Sequence, residues 1–221
     1  MAPFDPVAFI RANLPVGPVP WIPEIRLHKA SRSSGMGRLE GPQGGTAASP
    51  YWAYHWAGGL ALARHILDHP EIVAGRRVLD LGAGSGLVAI AAAKAGAGEV
   101  LAAEIDPYAV AALGLNVALN NVAVGVAQTD PTVSPPPLVD LVLVGDLFYE
   151  DGLARRVMAF LDRCRAAAIE VLIGDPWRAF LPHQRLAVIA DYDVAETESA
   201  RMKRTGIFTI RQPSAAASIP L

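Results

Sequence analysis

The chain has little cysteine, no long apolar run and almost no excess of charge. Its 221 residues include one cysteine, Cys164. No internal disulfide can form, and nothing around Cys164 has the spacing of a zinc site. A small residue buried in a helix, in a reducing compartment, is the expectation. No uninterrupted apolar stretch reaches the roughly 18 residues of a membrane span. Met1-Ala2-Pro3-Phe4-Asp5-Pro6 has neither the basic start and apolar core of a secretory signal nor the arginines of a transit peptide. Lys+Arg number 19 and Asp+Glu 21, a formal net charge of -2, which gives no support to phosphate-dominated nucleic-acid binding. The expectation is a cytoplasmic protein with neither a membrane nor a nucleic-acid partner, acting as a monomer and without a metal.

What the chain does have is Arg77-Val78-Leu79-Asp80-Leu81-Gly82-Ala83-Gly84-Ser85-Gly86-Leu87. A short run of β-formers ends in a carboxylate and three glycines at alternate positions, followed by an alanine-rich apolar segment. Strand, tight turn and helix start form a cradle in which a ligand can touch the main chain. The dinucleotide fingerprint G-x-G-x-x-G needs glycine at position 87, where the chain has Leu87. A carboxylate just ahead of the glycines suits a cationic ligand. S-adenosylmethionine carries an ammonium and a sulfonium and no phosphate. The plain alternative is a glycine turn closing an ordinary β-α unit.

From Arg77 onward, strands and helices alternate. Strands are predicted at 78–81, 99–105, 122–128, 138–144 and 169–173. Helices are predicted at 85–95, 107–120, 151–165 and 178–190, and Pro131 to Pro137 makes one crossover loop-like. Two alternating runs, 192–199 and 206–211, predict a closing hairpin. The fold class is α/β: a Rossmann-like, doubly wound, seven-stranded sheet, mostly parallel, with the last strand antiparallel. Ahead of it lie a helix capped by Asp5 with Pro6 at its first position, an extended proline-rich stretch, a short strand near Ile25, and a Ser/Gly-rich loop from Ser31 to Ser49 that is either a lid or a plain linker. The organisation expected is an extension and loop over 1–50, a catalytic domain over 51–213 and a frayed tail over 214–221.

In such a sheet, ligands sit beyond the carboxyl ends of the strands. Asp80, Gly82, Gly84 and Gly86 close the first of them. The second ends in Glu104-Ile105-Asp106, with Glu104 lying 20 positions after Gly84, where a ribose-binding acid is expected. Ile105 is placed against the adenine, and Asp106 is read as the cap of the helix starting at Pro107. Asp130, after the third strand, is a candidate for the adenine amino group or a solvated loop acid. The fourth ends in Gly145-Asp146-Leu147-Phe148-Tyr149, where Asp146 and Tyr149 can hold and wall an amine. Trp56, followed by Gly58-Gly59, either covers the cofactor or belongs to the core, and Gly58-Gly59 permits close approach of a ligand. His55 is read as a satisfied structural histidine. Gly174-Asp175-Pro176-Trp177 is a second rim of the acceptor site or a strand-ending turn.

Leu79 to Gly86, Glu104-Ile105-Asp106-Pro107 and the closing hairpin resemble the seven-β-strand S-adenosylmethionine-dependent methyltransferases. Three blocks narrow the resemblance: Pro50-Tyr51-Trp52-Ala53-Tyr54-His55-Trp56-Ala57-Gly58-Gly59, Gly145 to Tyr149, and Val171-Leu172-Ile173-Gly174-Asp175-Pro176. Together, over roughly Pro50 to Arg211, they look like the lysine methyltransferases of the electron-transfer flavoprotein β-subunit. That resemblance implies S-adenosyl-L-methionine as cofactor, a protein-lysine substrate on that flavoprotein subunit, and a catalytic Asp-x-x-Tyr pair at Asp146 and Tyr149. The Ser31–Ser49 loop departs from the aromatic and charged sequence expected there. Mitochondrial members carry a targeting segment that this chain lacks, which implies a bacterial, cytoplasmic version.

Overall fold

The computed structural model describes residues 5–31, 33–39, 49–196 and 201–211. Helix α1 (Pro6–Asn13) starts where Asp5 accepts from the amides of Val7 and Ala8, at 2.9 and 3.1 Å. Strands β1 (Val16–Val19) and β2 (Ile22–His28) form an antiparallel hairpin turned at Trp21, which holds φ of +67°. A helix α2 (Ala57–Asp68) then leads into the main sheet.

That sheet contains β3 (Arg77–Leu81), β4 (Glu99–Glu104), β5 (Gly125–Gln128), β6 (Leu141–Gly145), β7 (Glu170–Asp175), β8 (Leu186–Val194) and β9 (Lys203–Ile210). Their order is β5-β4-β3-β6-β7-β9-β8. The first five are mutually parallel, and β9 runs antiparallel to both β7 and β8. The order reverses beside β3, so β3 and β6 open a crevice at their carboxyl ends. Helices α3 (Leu87–Lys94), α4 (Pro107–Leu119) and α5 (Asp151–Ala166) make the crossovers. The expected fold class is therefore the observed one.

Alternation along β3 and β6 divides the core. Val78, Leu141 and Leu143 face α2 and α3, while Leu79, Leu81, Val142 and Val144 face α5. Both faces are covered, which is why these strands read as unbroken apolar runs. On α5, Val157, Phe160, Leu161 and Cys164 are fully buried, the spacing of one helical face. Burial pushes the Cys164 thiol up to about 11, which leaves it an inert core residue as expected. The hairpin β1–β2 is part of the same core: Ile22, Ile25 and Leu27 pack with α2 and α3. Two asparagines of α4 fix it there. Asn116 Oδ1 accepts from His28 N at 2.8 Å and its Nδ2 donates to Ser85 O at 2.9 Å. Asn120 both accepts from Arg26 N and donates to Arg26 O.

One predicted helix is not there. Residues 178–190 instead form a loop, a single 3-10 turn (His183–Arg185) and the first half of β8. Pro182 removes an amide from any helix through this stretch. The apolar residues 186–189 then pair as a strand, Leu186 with Ile210 and Val188 with Phe208. The third parallel strand is also shorter than predicted, starting at Gly125 rather than Val122. Part of the Ser31–Ser49 loop lies outside the described residues, as does the 214–221 tail; within the loop, Met36–Arg38 form a 3-10 turn and Leu39 is buried.

Candidate active site

A cavity of about 600 Å³ opens at the carboxyl ends of β3, β4 and β6, roofed by the segment Tyr51–Trp56. The volume suits a nucleoside-sized ligand. Its charged walls comprise the carboxylates Asp80, Glu104, Asp106, Asp130 and Asp146 against the guanidinium groups Arg156 and Arg178. That imbalance favours a cationic ligand over a phosphate.

Local sequence explains the floor. Gly82, Gly84 and Gly86 all hold positive φ, at +66°, +53° and +86°, a region closed to most side chains. The bend returns the chain so that α3 starts under the cavity. The buried carboxylate of Asp80 accepts from Ala89 N at 2.9 Å, satisfying one of the unpaired amides in the first turn of α3. Burial, with Glu104 nearby, pushes Asp80 up to about 7; a cation arriving beside it would favour the ionised form. Gly86 does not line the cavity, and a side chain there would press within 3.1 Å of Leu113. Its role is to turn the chain and let α3 pack on α4.

Glu104 is held to the glycine loop directly. Its Oε2 accepts from Gly84 N at 2.9 Å, and its Oε1 accepts from Ile105 N and Asp106 N at 2.6 and 3.0 Å. A carboxylate has about four acceptor sites, so a ribose hydroxyl meets an acid already oriented by three amides. Ile105 is 63% exposed on the cavity wall, a free apolar face for a base. Asp106 caps α4 through Tyr108 N at 2.8 Å, as predicted. Asp130 lines the cavity, with its Oδ1 taken by Thr132 N and Thr132 Oγ1.

The other end of the cavity is aromatic. Trp56 lines it and donates from Nε1 to Tyr51 O at 2.8 Å. The Tyr51 ring lies 5.7 Å from Trp56 and 5.8 Å from Tyr149. Tyr149 is 46% exposed at the mouth, with its hydroxyl pushed up by partial burial. Asp146 is buried, in the left-handed region at φ +63°. Its Oδ2 accepts from Gly58 N at 2.9 Å, and its Oδ1 accepts from Arg178 Nε.

Besides Gly86, three features differ from the sequence expectation. Gly58-Gly59 does admit a close approach, but of backbone. A side chain on Gly58 would collide with Gly174 O and come within 2.8 Å of Asp146 N, and one on Gly145 would lie 3.1 Å from Gly59 Cα. His55 is buried on the cavity side of the roof, yet neither ring nitrogen has a partner among the described residues. It is not a satisfied histidine; burial and the nearby Lys29 push it down to about 4. Arg178, which sequence reasoning placed in a helix, lines the site and pairs with Asp146. The Gly174-Asp175-Pro176-Trp177 turn was its only signal.

These residues define a class: an S-adenosylmethionine-dependent methyltransferase. The chain also matches, over residues 62–143, the model of the ribosomal protein L11 methyltransferase (PrmA) family. A solved ribosomal protein L11 methylase from Lactobacillus delbrueckii subsp. bulgaricus superposes with a TM-score of 0.51 at 21% identity, over 69% of this chain and 77% of that one. More narrowly, the chain belongs to the family of the electron transfer flavoprotein beta subunit lysine methyltransferases. It is 39% identical to the Xenopus laevis member over 87% of this chain and 80% of that protein. It is 46% identical to the Danio rerio member over 63% of this chain, a match that spans 55% of that relative's length. The methyl donor of this family is S-adenosylmethionine.

Proposed function

We propose that the protein transfers a methyl group from S-adenosylmethionine to a lysine of the electron transfer flavoprotein β-subunit. The observation that carries this reading is the pairing, in one cavity, of an acid-lined donor cradle with an aromatic mouth at the end of β6. Bound there, S-adenosylmethionine supplies a methyl on a sulfonium, which the lysine lone pair takes as the carbon–sulfur bonding pair leaves with sulfur. Everything else is done by the chain's own groups. Asp80, Gly82, Gly84 and Glu104 would hold the donor, with Ile105 and Asp130 for its base and Gly145 on the same cavity wall. Tyr51, Trp56 and Tyr149 wall the lysine stem and exclude water. Asp146, fixed by Gly58 N, orients the amine, and the proton the nitrogen loses goes to solvent. Alignment of two held reactants supplies much of the acceleration.

Among the described residues no helix is long and apolar enough to cross a membrane. We further propose that it works in the cytoplasm, as a monomer acting on another protein. The test is to incubate it with tritiated S-adenosylmethionine and purified flavoprotein, and to locate the label by peptide mass spectrometry. Mass increments of 14 Da, the size of one methyl group, on a β-subunit lysine support the reading. Label confined to small molecules or nucleic acid contradicts it.

A further inference from the structure

A lysine acceptor raises a physical problem. Its amine, with a pKa of about 10.4, is protonated in neutral solution and then has no lone pair to donate. A bare carboxylate at the acceptor site would make this worse, because an anion stabilises the cation. Asp146 is such a carboxylate, and it does not stand bare. Arg178, from the loop after β7, pairs with its Oδ1. The Arg178 backbone is pinned as well, its amide donating to Asp175 Oδ1 at 2.7 Å. Its guanidinium carbon lies 5.7 Å from the centre of the Trp56 ring. Trp56, Asp146 and Arg178 all line the cavity.

We propose that Arg178 is a positioning residue that cancels the charge of Asp146 and so favours the uncharged, nucleophilic form of the incoming lysine. This rests on the protein-lysine reading above and says how that site deals with the acceptor's proton. The lysine enters a mouth walled by three aromatic rings and meets an ion pair of no net charge. Desolvation then acts on the amine while the nearest carboxylate, Asp146, is paired.

The groups around Arg178 and the mouth are these. Asp146 and Asp175 face Arg178 from the ends of β6 and β7, and Glu196 faces it from the segment after β8. Glu196 is itself paired with Lys203 at 2.7 Å. Asp175 is fully buried, its Oδ2 has no partner among the described residues, and burial pushes it up to about 7. It is therefore the one neighbour expected to change charge near neutrality. Around Tyr149, Tyr51, Glu104 and Glu150 are opposed by Arg156.

The experiment compares wild type, Arg178→Gln and Arg178→Lys at saturating donor and flavoprotein acceptor, where the pH profile of kcat reports groups in the complex. In Arg178→Gln the midpoint moves to higher pH by about one unit or more, the scale of one uncancelled charge on a partly buried neighbour. Turnover then falls about tenfold at pH 7 and recovers above about pH 10. Arg178→Lys, which keeps the charge, follows the wild-type midpoint. Donor affinity, read by calorimetry with S-adenosylhomocysteine, is the same in all three. A second readout needs no turnover. In the complex with S-adenosylhomocysteine, the acceptor lysine, carbon-13 labelled at Cε, titrates below its ordinary value with wild type and closer to it with Arg178→Gln. Profiles of identical midpoint in the three proteins, or an acceptor lysine that titrates alike with all of them, overturn the proposal while leaving the lysine reading intact. A wild-type protein that methylates no lysine overturns both.

Discussion

Gly58 in the first turn of α2 lies in backbone contact with Gly174 near the end of β7, each occupying the space a side chain on the other would need. That contact is what brings Gly58 N within 2.9 Å of Asp146 Oδ2. It also sets Asp146 N against Gly174 O at 2.9 Å, so one close approach fixes the acceptor-site acid from two sides. Gly58→Ala and Gly174→Ala are therefore each expected to destabilise the fold by about 3 kcal/mol, at the upper end of the cost of overpacking. Urea denaturation checks this. By contrast Gly114→Ala, where nothing lies within 4 Å of an added carbon, is expected to be neutral or slightly stabilising, since alanine is the better helix former.

On the proposed reading, Glu104 attaches the donor's sugar. Glu104→Gln keeps the size, loses the charge that strengthens the bonds to Gly84 N and to the donor's sugar, and turns one of two accepting oxygens into a donor facing a backbone N–H. The loss of S-adenosylmethionine affinity is expected to be on the order of 10- to 100-fold, read by calorimetry, with a lowered melting temperature.

For Asp146 the split is the reverse. Asp146→Asn leaves an oxygen for Gly58 N but breaks the charge balance with Arg178. Turnover on the flavoprotein is expected to fall on the order of 100-fold, the cost of a misaligned acceptor, with donor affinity retained. Single-turnover assays beside equilibrium binding separate the two effects.

His55 carries a pH dependence with a definite sign. Burial holds its folded-state pKa at about 4, below the ordinary imidazole value of 6.5. Between those values the unfolded chain binds the proton that the folded chain refuses, so stability falls as pH drops through this window. The residue's share is about 3 kcal/mol at most. Asp80 and Asp175, both raised to about 7, act in the opposite sense, contributing stability at low pH that is lost as pH rises from about 4 to 7. Those two are common to wild type and His55→Phe, so the difference between the proteins isolates His55. His55→Phe is expected to be the more stable, by a margin that widens from pH 6.5 to pH 4, in denaturation curves taken across that range.

The proposed donor half of the site is legible in the sequence because it is local. Asp80, the glycine turn and Glu104 lie at strand ends that periodicity alone locates, and the fold's parallel order puts those ends side by side. The acceptor half is built by contacts distant in sequence, which no window reveals. Gly58 meets Gly174, Asp146 meets Arg178, and the buried His55 lacks partners only because of how the roof folds over it. The one misread element has the same origin. Residues 186–189 are apolar in a run that fits a helix or a strand equally well, and it was pairing with β9 that decided it.

The measurement that bears most directly on the account is calorimetric titration of the purified protein with S-adenosylmethionine and, separately, with NAD and NADP. The account predicts one donor molecule bound per chain, weakened in Glu104→Gln and retained in Asp146→Asn, with neither nucleotide bound. Binding of a nicotinamide nucleotide, or donor affinity indifferent to Glu104→Gln, would contradict it.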